Sequence, residues 1–293
     1  MLKQVNQNNM KIAVTSTSGQ LGSAIVKQLI KEIDKKNVIG IARTPEKAKH
    51  LGIEIRKGDY NNRQDFDKAL HGIDVVLLVS GMDEPQKRIQ QHRNVLEAAK
   101  QNGVQKIVYT SIVGDENKTA FSPVVKSNRG TEKDIQGSGL EWVIGRNGIY
   151  IEPDLEYIDN YVKDGEIRNC AGEGKCGYTS REELAYAYAQ MLLDTKHNGH
   201  VYNLVGEAIT QAELAQIINE VYHTNLTYNP VTVEDYGNER KEALGDFLGT
   251  IIAGIYDGIK IGVNDVSSDF EKASGRPHKT PLDMIKAVKN HSH

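Results

Sequence analysis

A short loop of small residues near the start of this 293-residue chain has the composition of a phosphate cradle. The loop, TSTSGQLG at residues 15–22, follows a β-branched run, and an amphipathic helix begins at its end. Gly19 would let the backbone approach a pyrophosphate, Gly22 would let the helix pack on the strand, and free N–H groups at the helix N-terminus would hold the phosphates. Such a loop between strand and helix of a βαβ series predicts a dinucleotide site. The alternative is a tight turn that binds nothing.

The end of the second predicted strand carries an arginine where an NAD-binding chain usually has Asp or Glu. Arg43 follows the run VIGIA at residues 38–42, and Lys47 lies one turn further on. A guanidinium suits a 2′-phosphate because it donates two parallel hydrogen bonds, and the lysine adds positive charge. The sequence therefore predicts NADPH in preference to NADH. The alternative is that Arg43 is a solvated loop residue.

The elements that must position these residues alternate along the first half of the chain. Short apolar runs predict strands, and Leu21, Ile25 and Leu29 recur at the spacing of an amphipathic helix. Strands that alternate with helices indicate right-handed βαβ units and a parallel sheet. We therefore predict an α/β protein, with a Rossmann-like doubly wound parallel sheet and a smaller α-rich C-terminal lobe. The predicted strands are residues 11–15, 38–42, 53–56, 75–79, 106–109 and 140–144.

The second half of the sequence is less regular. Its patterns predict a helix over residues 182–193, a strand over 200–205, a helix over 211–221 capped by Thr210, and helical structure with several glycines over 238–256. We predict three regions: a disordered extension at 1–9, an NAD(P)-binding Rossmann domain at 10–150, and a substrate-binding lobe at 151–293 that partly returns to the sheet. A lobe over the carboxyl ends of the strands would place a cleft where open parallel sheets bind ligands.

Composition excludes several classes of protein and partner. The 36 Lys+Arg against 39 Asp+Glu give a net charge of −3, which argues against a strongly basic nucleic-acid binder. No apolar run approaches the length of a membrane span, and the first nine residues lack the apolar stretch of a signal peptide, so we expect a cytoplasmic protein. Two cysteines are too few for a disulfide framework, and no metal site is predicted. A homodimer remains open.

Several short strings make the chain resemble the NmrA-like group of atypical short-chain dehydrogenases/reductases, close to the type 2 NAD(P)H:quinone oxidoreductases. The family's loop pattern is TGATGQLG, and this chain departs from it with Ser16 at the first glycine. If that position needs a positive φ, a serine there costs free energy. Further matching strings are RTPEKA at 43–48, GDY at 58–60, QHRNV at 91–95, YTS at 109–111, TEK at 131–133, SGL at 138–140, RNG at 146–148, AGEGK at 171–175, SREELA at 180–185 and SGRP at 274–277.

The resemblance adds residues to the predicted cofactor site. It implies that Asp59 and Tyr60 lie near the adenine and that Ser80 and Gly81 lie near the middle of the cofactor. Arg88, His92 and Arg93 are interpreted instead as the solvated side of a helix. The alternative is that residues 91–94, which match a family string, shape the cleft. The predicted cofactor-binding residues are Thr15, Thr17, Ser18, Gly19, Gln20, Leu21, Gly22, Arg43, Lys47, Asp59, Tyr60, Ser80, Gly81, Thr110 and Ser111.

The acid–base pair of ordinary short-chain dehydrogenases is missing. Alignment of the helix that carries TEK places Val124 at the tyrosine position and Asn128 at the lysine position, and neither can do that work. The absence disfavours sugar-nucleotide epimerases and alcohol dehydrogenases. A quinone does not need the pair, because it accepts hydride directly and solvent can protonate the hydroquinone anion, so that the protein mainly positions cofactor and acceptor.

The resemblance implies that the RNG segment lies by the nicotinamide. Asn147 and Tyr150 are therefore candidate catalytic residues, and Lys133 is a cationic candidate. For Tyr150 the alternative is an aromatic wall of the cleft, and for Lys133 it is an ordinary lysine on a helix surface. We predict an NADPH-dependent reductase of quinones or similar conjugated acceptors, such as azo or triphenylmethane dyes. The rival hypothesis is a non-catalytic redox sensor that binds dinucleotide and regulates a partner protein.

Overall fold

The computed structural model describes residues 10–291, and the extension predicted at 1–9 lies outside them. A seven-stranded sheet of order β3-β2-β1-β4-β5-β6-β9 forms the centre, with all neighbouring strands parallel. The predicted doubly wound fold is confirmed. The strands are β1 Ile12–Val14, β2 Val38–Ala42, β3 Glu54–Lys57, β4 Val75–Leu78, β5 Lys106–Ile112, β6 Glu141–Asn147, β7 Glu166–Asn169, β8 Lys175–Gly177, β9 His200–Leu204, β10 Ala208–Thr210 and β11 Thr227–Pro230.

Helices cover both faces of this sheet, and alternation within each strand supplies both faces with apolar side chains. Ile12 and Val14 pack on the face of α1 and α7, whereas Ala13 packs on the opposite face. The helices are α1 Gln20–Glu32, α2 Arg63–Ala69, α3 Pro85–Gln101, α4 Ser122–Gln136, α5 Glu152–Glu156, α6 Ile158–Asp164, α7 Arg181–Leu193, α8 Gln211–Tyr222, α9 Val233–Leu244, α10 Asp246–Lys260, α11 Phe270–Ser274 and α12 Pro281–His291. No helix within residues 10–291 is long and apolar enough to cross a membrane.

Strands β5 and β6 are longer than predicted. They pair with each other from Lys106 and Glu141 to Ile112 and Asn147, so polar residues at their ends belong to the ladder although they interrupt the apolar pattern. Strand β9 then pairs with β6 and brings the chain back to the sheet from the second lobe. The longer strands carry Thr110, Ser111 and Asn147 to the carboxyl edge of the sheet, where the cleft was expected.

The second lobe has its own apolar core around Ile167, Tyr178 and Ile218, with the small β7–β11 and β8–β10 pairs. Thr210 caps α8 in a reciprocal capping box with Glu213, as its sequence predicted. Residues 238–256 are helical as predicted except at Gly245, whose φ of +81° separates α9 from α10.

Two of the family strings meet across this fold. Arg276 of SGRP donates from Nη1 and Nη2 to the carboxylate of Glu183 in SREELA, at 2.8 and 2.7 Å. Its guanidinium also stacks over the ring of Tyr186. Glu183 is fully buried, so this bidentate pair fastens the segment before α12 to the start of α7. These two strings therefore have a structural role, which is to hold the C-terminal segment against α7 away from the cofactor loop.

Candidate active site

The glycine loop forms an open cradle at the start of α1. Gly19 precedes the helix in an extended conformation without a side-chain cap, and the first turn contains no acidic residue. The first N–H groups of the helix are therefore available to an anion. A Cβ on Gly22 would lie 2.5 Å from the Ser16 carbonyl oxygen, so a glycine is required where the helix packs on the loop. This geometry fits the pyrophosphate of a dinucleotide.

Ser16 is the departure from the family pattern, and its backbone has a φ of +54°. The position therefore needs the left-handed conformation that glycine adopts readily and serine does not. The serine gains a hydrogen bond in return, because its Oγ donates to Tyr60 Oη at 3.1 Å. The strain is local, and the loop around it keeps the shape of a phosphate cradle.

The hydroxyl of Tyr60 ties three segments together. It donates to the Val79 carbonyl oxygen at 2.5 Å and lies 2.6 Å from Thr15 Oγ1, which in turn accepts from Val79 N–H at 2.9 Å. Burial raises the pKa of Tyr60 to about 12, so the group stays neutral. One face of its ring stacks on Phe66. Since the hydroxyl is committed, only the ring remains for the adenine contact that the resemblance implies.

The two basic residues predicted to select NADPH are exposed at the end of β2. The side chains of Arg43 and Lys47 make no hydrogen bond or ion pair with any other residue that the structure describes. Thr17 Oγ1 of the cradle donates to Ile41 O at 3.2 Å, which ties the glycine loop to this strand. Arg43 thus lies free beside the cradle, and its contact with a 2′-phosphate stays a prediction.

The string QHRNV lies on α3 and fastens the loops around the predicted cofactor site. His92 accepts from Gly81 N–H at 3.0 Å and donates to Thr131 Oγ1 at 2.9 Å, and burial lowers its pKa to about 3. Asn94 donates to the Tyr60 carbonyl oxygen at 2.8 Å. The prediction that His92 faces solvent is wrong, because the α3 face that packs on the sheet includes it. Arg93 is the exposed member of the string and pairs with Asp134.

Arg88 was also predicted on the solvated side of α3, and it is buried. It precedes His92 by one helical turn and therefore lies on the same inner face. Its Nη2 donates to Ser80 Oγ at 2.5 Å and to Asn128 Oδ1 at 3.1 Å, while its enclosed Nε has no partner among residues 10–291. No carboxylate in that part of the chain pairs with it. Arg88 is thus an uncompensated cation beside Ser80, and the inward spacing on α3 was the signal that could have identified it.

Asn128 Oδ1 also accepts hydrogen bonds from side chains at the end of the sheet. Tyr109 Oη donates to it at 2.6 Å and Ser80 Oγ at 3.0 Å. Thr110 Oγ1 accepts from Ser80 N–H at 2.8 Å. Ser80 and Thr110, two predicted cofactor residues, are therefore brought together at the carboxyl ends of β4 and β5, and Arg88 joins them.

Ser111 and the TEK string form a separate buried cluster. Ser111 Oγ donates to Glu132 Oε1 at 2.5 Å, and Arg146 Nη2 donates to Glu132 Oε2 at 2.6 Å. Burial alone would raise the pKa of Glu132, but the bonds from Arg146 and Ser111 outweigh it and hold this pKa below its ordinary value. Lys133 is exposed and contacts no partner through its side chain within the described residues, so the structure does not bring it to the other candidates.

Asn147 and Tyr150 are brought together at the end of β6, and a third residue joins them. Asn147 Nδ2 donates to Tyr150 Oη at 2.9 Å, and Tyr188 Oη donates to Asn147 Oδ1 at 2.6 Å. Tyr188 is fully buried on α7 and was not predicted. Its sequence context, an apolar helix, gives no sign of a polar role. Burial raises the pKa of Tyr150 to about 12.

Helix α10 carries an apolar stripe that is partly exposed. Phe247 is exposed, and Ile251 and Ile255 are half-buried at helical spacing behind it. Gly254 packs closely on the backbone of Phe121, in the segment that follows β5. The stripe gives α10 an apolar surface that other residues only partly cover.

Comparison with known proteins gives consistent matches. Residues 17–195 match a protein-family model described as NAD(P)H-binding. Quinone oxidoreductase 2 of Escherichia coli is 31% identical over 288 residues, which cover 95% of this chain and 99% of that protein. The crystal structure of the NADPH-dependent quinone oxidoreductase of E. coli complexed with NADPH superposes with a TM-score of 0.87 over 95% of this chain and 100% of that chain, at 31% identity. Citrobacter sp. triphenylmethane reductase complexed with NADP(H) has a TM-score of 0.86 and 32% identity over 94% and 100% of the two chains.

Proposed function

The chain belongs to the NAD(P)H-binding family, and on this premise we propose that it is an NADPH-dependent reductase that transfers hydride to a quinone or a similar conjugated acceptor. The observation that carries the proposal is the uncapped start of α1 beside an unpaired Arg43. The two features suit the pyrophosphate and the 2′-phosphate of one cofactor. The names of the quinone and dye reductases that this chain resembles support the choice of acceptor.

Each group of residues has a place in this proposal. Gln20 and Leu21 offer backbone N–H groups to the pyrophosphate, while the Gly19 N–H closes the loop on the Ser16 carbonyl oxygen at 2.9 Å. Arg43 and Lys47 hold the 2′-phosphate. Thr15 and Thr17 anchor the cradle from behind. Asp59 and the ring of Tyr60 border the adenine. Ser18 and Gly22 complete the loop, and Ser80, Gly81, Thr110 and Ser111 line the path toward Asn147.

Bound NADPH would supply a hydride from its nicotinamide C4. Reduction of a quinone consumes one NADPH and one proton and yields NADP⁺ and a hydroquinone. No Tyr–Lys pair is needed, because the product forms as a comparatively stable hydroquinone anion that solvent can protonate. Asn147 and Tyr150 then act by holding the reacting groups in place at the end of β6, and the apolar stripe of α10 covers the flat acceptor.

Steady-state oxidation of NADPH by purified protein with a simple benzoquinone tests the proposal, with NADH run alongside. We expect quinone-dependent oxidation that prefers NADPH. Binding of NADPH without turnover on quinones or dyes would overturn the reductase and leave the redox sensor. Failure to bind either nucleotide would mean that Ser16 closes the phosphate cradle.

A further inference from the structure

Three residues, one each on β6, on the loop after it and on α7, form one directed chain of hydrogen bonds at the proposed hydride-transfer site. Tyr188 Oη lies 2.6 Å from Asn147 Oδ1, and Asn147 Nδ2 lies 2.9 Å from Tyr150 Oη. The first separation is typical of O–H···O bonds and the second of N–H···O bonds. The distances therefore agree on one direction: Tyr188 donates to the amide oxygen, and the amide nitrogen donates to Tyr150.

The surroundings of Tyr188 fix that direction. Its hydroxyl also lies 3.0 Å from the Gly145 carbonyl oxygen, so both of its protein neighbours are acceptors. A Cβ on Gly145 would collide with this hydroxyl, and β6 has a glycine where the phenol enters. A phenylalanine in place of Tyr188 would fill the same apolar space without the cost of burying a hydroxyl, so packing alone does not explain the tyrosine. The hydroxyl of Tyr188 therefore serves to orient the Asn147 amide.

The consequence appears at Tyr150. Its oxygen accepts a hydrogen bond from Asn147 Nδ2, but its own O–H donates to no residue within 10–291. Tyr150 is half-buried at the carboxyl edge of the sheet and stays neutral at physiological pH, since burial raises its pKa to about 12. The phenol is thus an oriented donor whose O–H is not used by the described part of the chain.

We infer that Tyr188, acting through Asn147, aims the hydroxyl of Tyr150 at a carbonyl oxygen of the electron acceptor, and that the site is therefore selective for carbonyl acceptors such as quinones over carbocationic dyes. The inference rests on the proposed function and names the acceptor class of that same site. Tyr188 is a positioning residue in this arrangement, and Tyr150 is the donor that touches the acceptor.

The chemistry of the two acceptor classes explains the selectivity. When hydride is transferred to a quinone, its hydrogen forms an O–H bond at one carbonyl, the π bonds of the ring shift, and the displaced electron pair ends on the opposite carbonyl oxygen. That oxygen becomes a phenolate and takes its proton from solvent. A hydrogen bond from Tyr150 strengthens as that charge develops. When hydride reaches the central carbon of a triphenylmethane cation, a C–H bond forms, the positive charge disappears and no oxyanion develops. The donor then contributes nothing to the transition state.

The test compares Tyr188→Phe and Tyr150→Phe with wild type on two acceptors, benzoquinone and a cationic triphenylmethane dye, at saturating NADPH. We expect kcat/KM for the quinone to fall about 10-fold in Tyr188→Phe and about 100-fold in Tyr150→Phe, and kcat/KM for the dye to stay within about 2-fold. The double variant should be no slower than Tyr150→Phe alone, because both changes act on the same hydrogen bond from Tyr150 to the acceptor. Tyr186→Phe, the same change elsewhere on α7, is the matched control and should leave both rates unchanged.

The outcomes separate the inference from the proposed function. Equal losses on quinone and dye, or additive losses in the double variant, would mean a merely structural role and overturn the inference. An unchanged quinone rate in Tyr188→Phe would overturn it as well, as would a wild-type protein that reduces the dye and not the quinone. A wild type that reduces the quinone and not the dye would support the inference. The double variant, measured on the quinone, then tests whether Tyr188 acts through Tyr150. A wild type that oxidises NADPH with neither acceptor would contradict the proposed function itself.

Discussion

Arg88 Nη2 lies 3.1 Å from Asn128 Oδ1, so a cation carried by α3 reaches the residue of α4 that the sequence predicts at the lysine position of ordinary short-chain dehydrogenases. The charge is buried, one of its nitrogens has no partner among the described residues, and its other contacts are neutral. Burying a charge without a counter-ion costs free energy. We interpret that cost as the consequence of keeping a positive charge beside Ser80, where the middle of the bound cofactor is predicted to lie.

Replacement of Arg88 should therefore move stability and binding in opposite directions. In Arg88→Met we expect the free energy of unfolding to rise by about 1 kcal/mol, because a desolvated charge is removed. The Kd for NADPH should rise about 10-fold, because the positive charge next to Ser80 is lost. Urea denaturation and fluorescence titration measure the two effects. Arg93→Met, which removes an exposed charge from the same helix, should change neither by much, and a loss of stability in Arg88→Met would contradict this interpretation.

Ser16 offers a second test, because its φ of +54° suits glycine better than serine. Ser16→Gly should stabilise the protein by up to about 1 kcal/mol. The free energy gained by relieving the left-handed strain is partly offset by the loss of the hydrogen bond to Tyr60. The cradle should keep its shape, so NADPH should bind at least as tightly as before. Chemical denaturation checks the prediction. Ser18→Gly in the same loop, where φ is not positive, should be neutral or destabilising; a destabilised Ser16→Gly would show that the bond to Tyr60 outweighs the strain.

Arg43 is the predicted determinant of cofactor choice. Because it is exposed and unpaired among the described residues, its removal should not disturb the fold. We expect Arg43→Ala to weaken NADPH binding about 10-fold and to leave NADH binding unchanged, since only NADPH carries the 2′-phosphate. Titration with both nucleotides measures this, and the NADPH affinity of the wild type should also decrease with salt. Equal losses for both nucleotides would assign Arg43 another role.

His92 makes stability depend on pH in a defined window. Its pKa is lowered to about 3 in the folded protein, whereas an unfolded histidine titrates near its ordinary value of 6.5. Between these values the unfolded chain binds a proton that the folded protein does not, so stability falls as the pH decreases through the window and the full contribution is present above it. The slope from this one group approaches about 1.4 kcal/mol per pH unit.

Urea denaturation of wild type and His92→Gln at pH 7.5, 6 and 5 measures that slope. The variant should lose stability at every pH, because the bond from Gly81 is altered, but its stability should depend less on pH than that of the wild type. The difference between the two curves isolates His92 from the other buried histidines. Parallel curves would mean that His92 is not the neutral clamp seen in the structure.

Local patterns in the sequence were sufficient for the framework of the sheet and for the glycine loop, because buried parallel strands and an amphipathic helix each leave a periodic signal. The position of the break at Gly245 was not predicted, because α9 and α10 together give one helical pattern with several glycines. Arg88 and His92 were assigned to solvent because their charge suggested it, although their spacing on α3 matches the buried stripe. Tyr188 carries no local signal at all: its role depends on β6 and α7 meeting in space, which only the tertiary structure reveals.

The central claim, hydride transfer from NADPH to a quinone, is tested most directly by a single turnover. Protein in excess is loaded with NADPH and mixed with benzoquinone, and NADPH absorbance and hydroquinone are followed together. The account predicts one hydroquinone for each NADPH consumed, at a rate far above that of the same mixture without protein. NADPH that stays bound and unoxidised in the presence of quinone would contradict it.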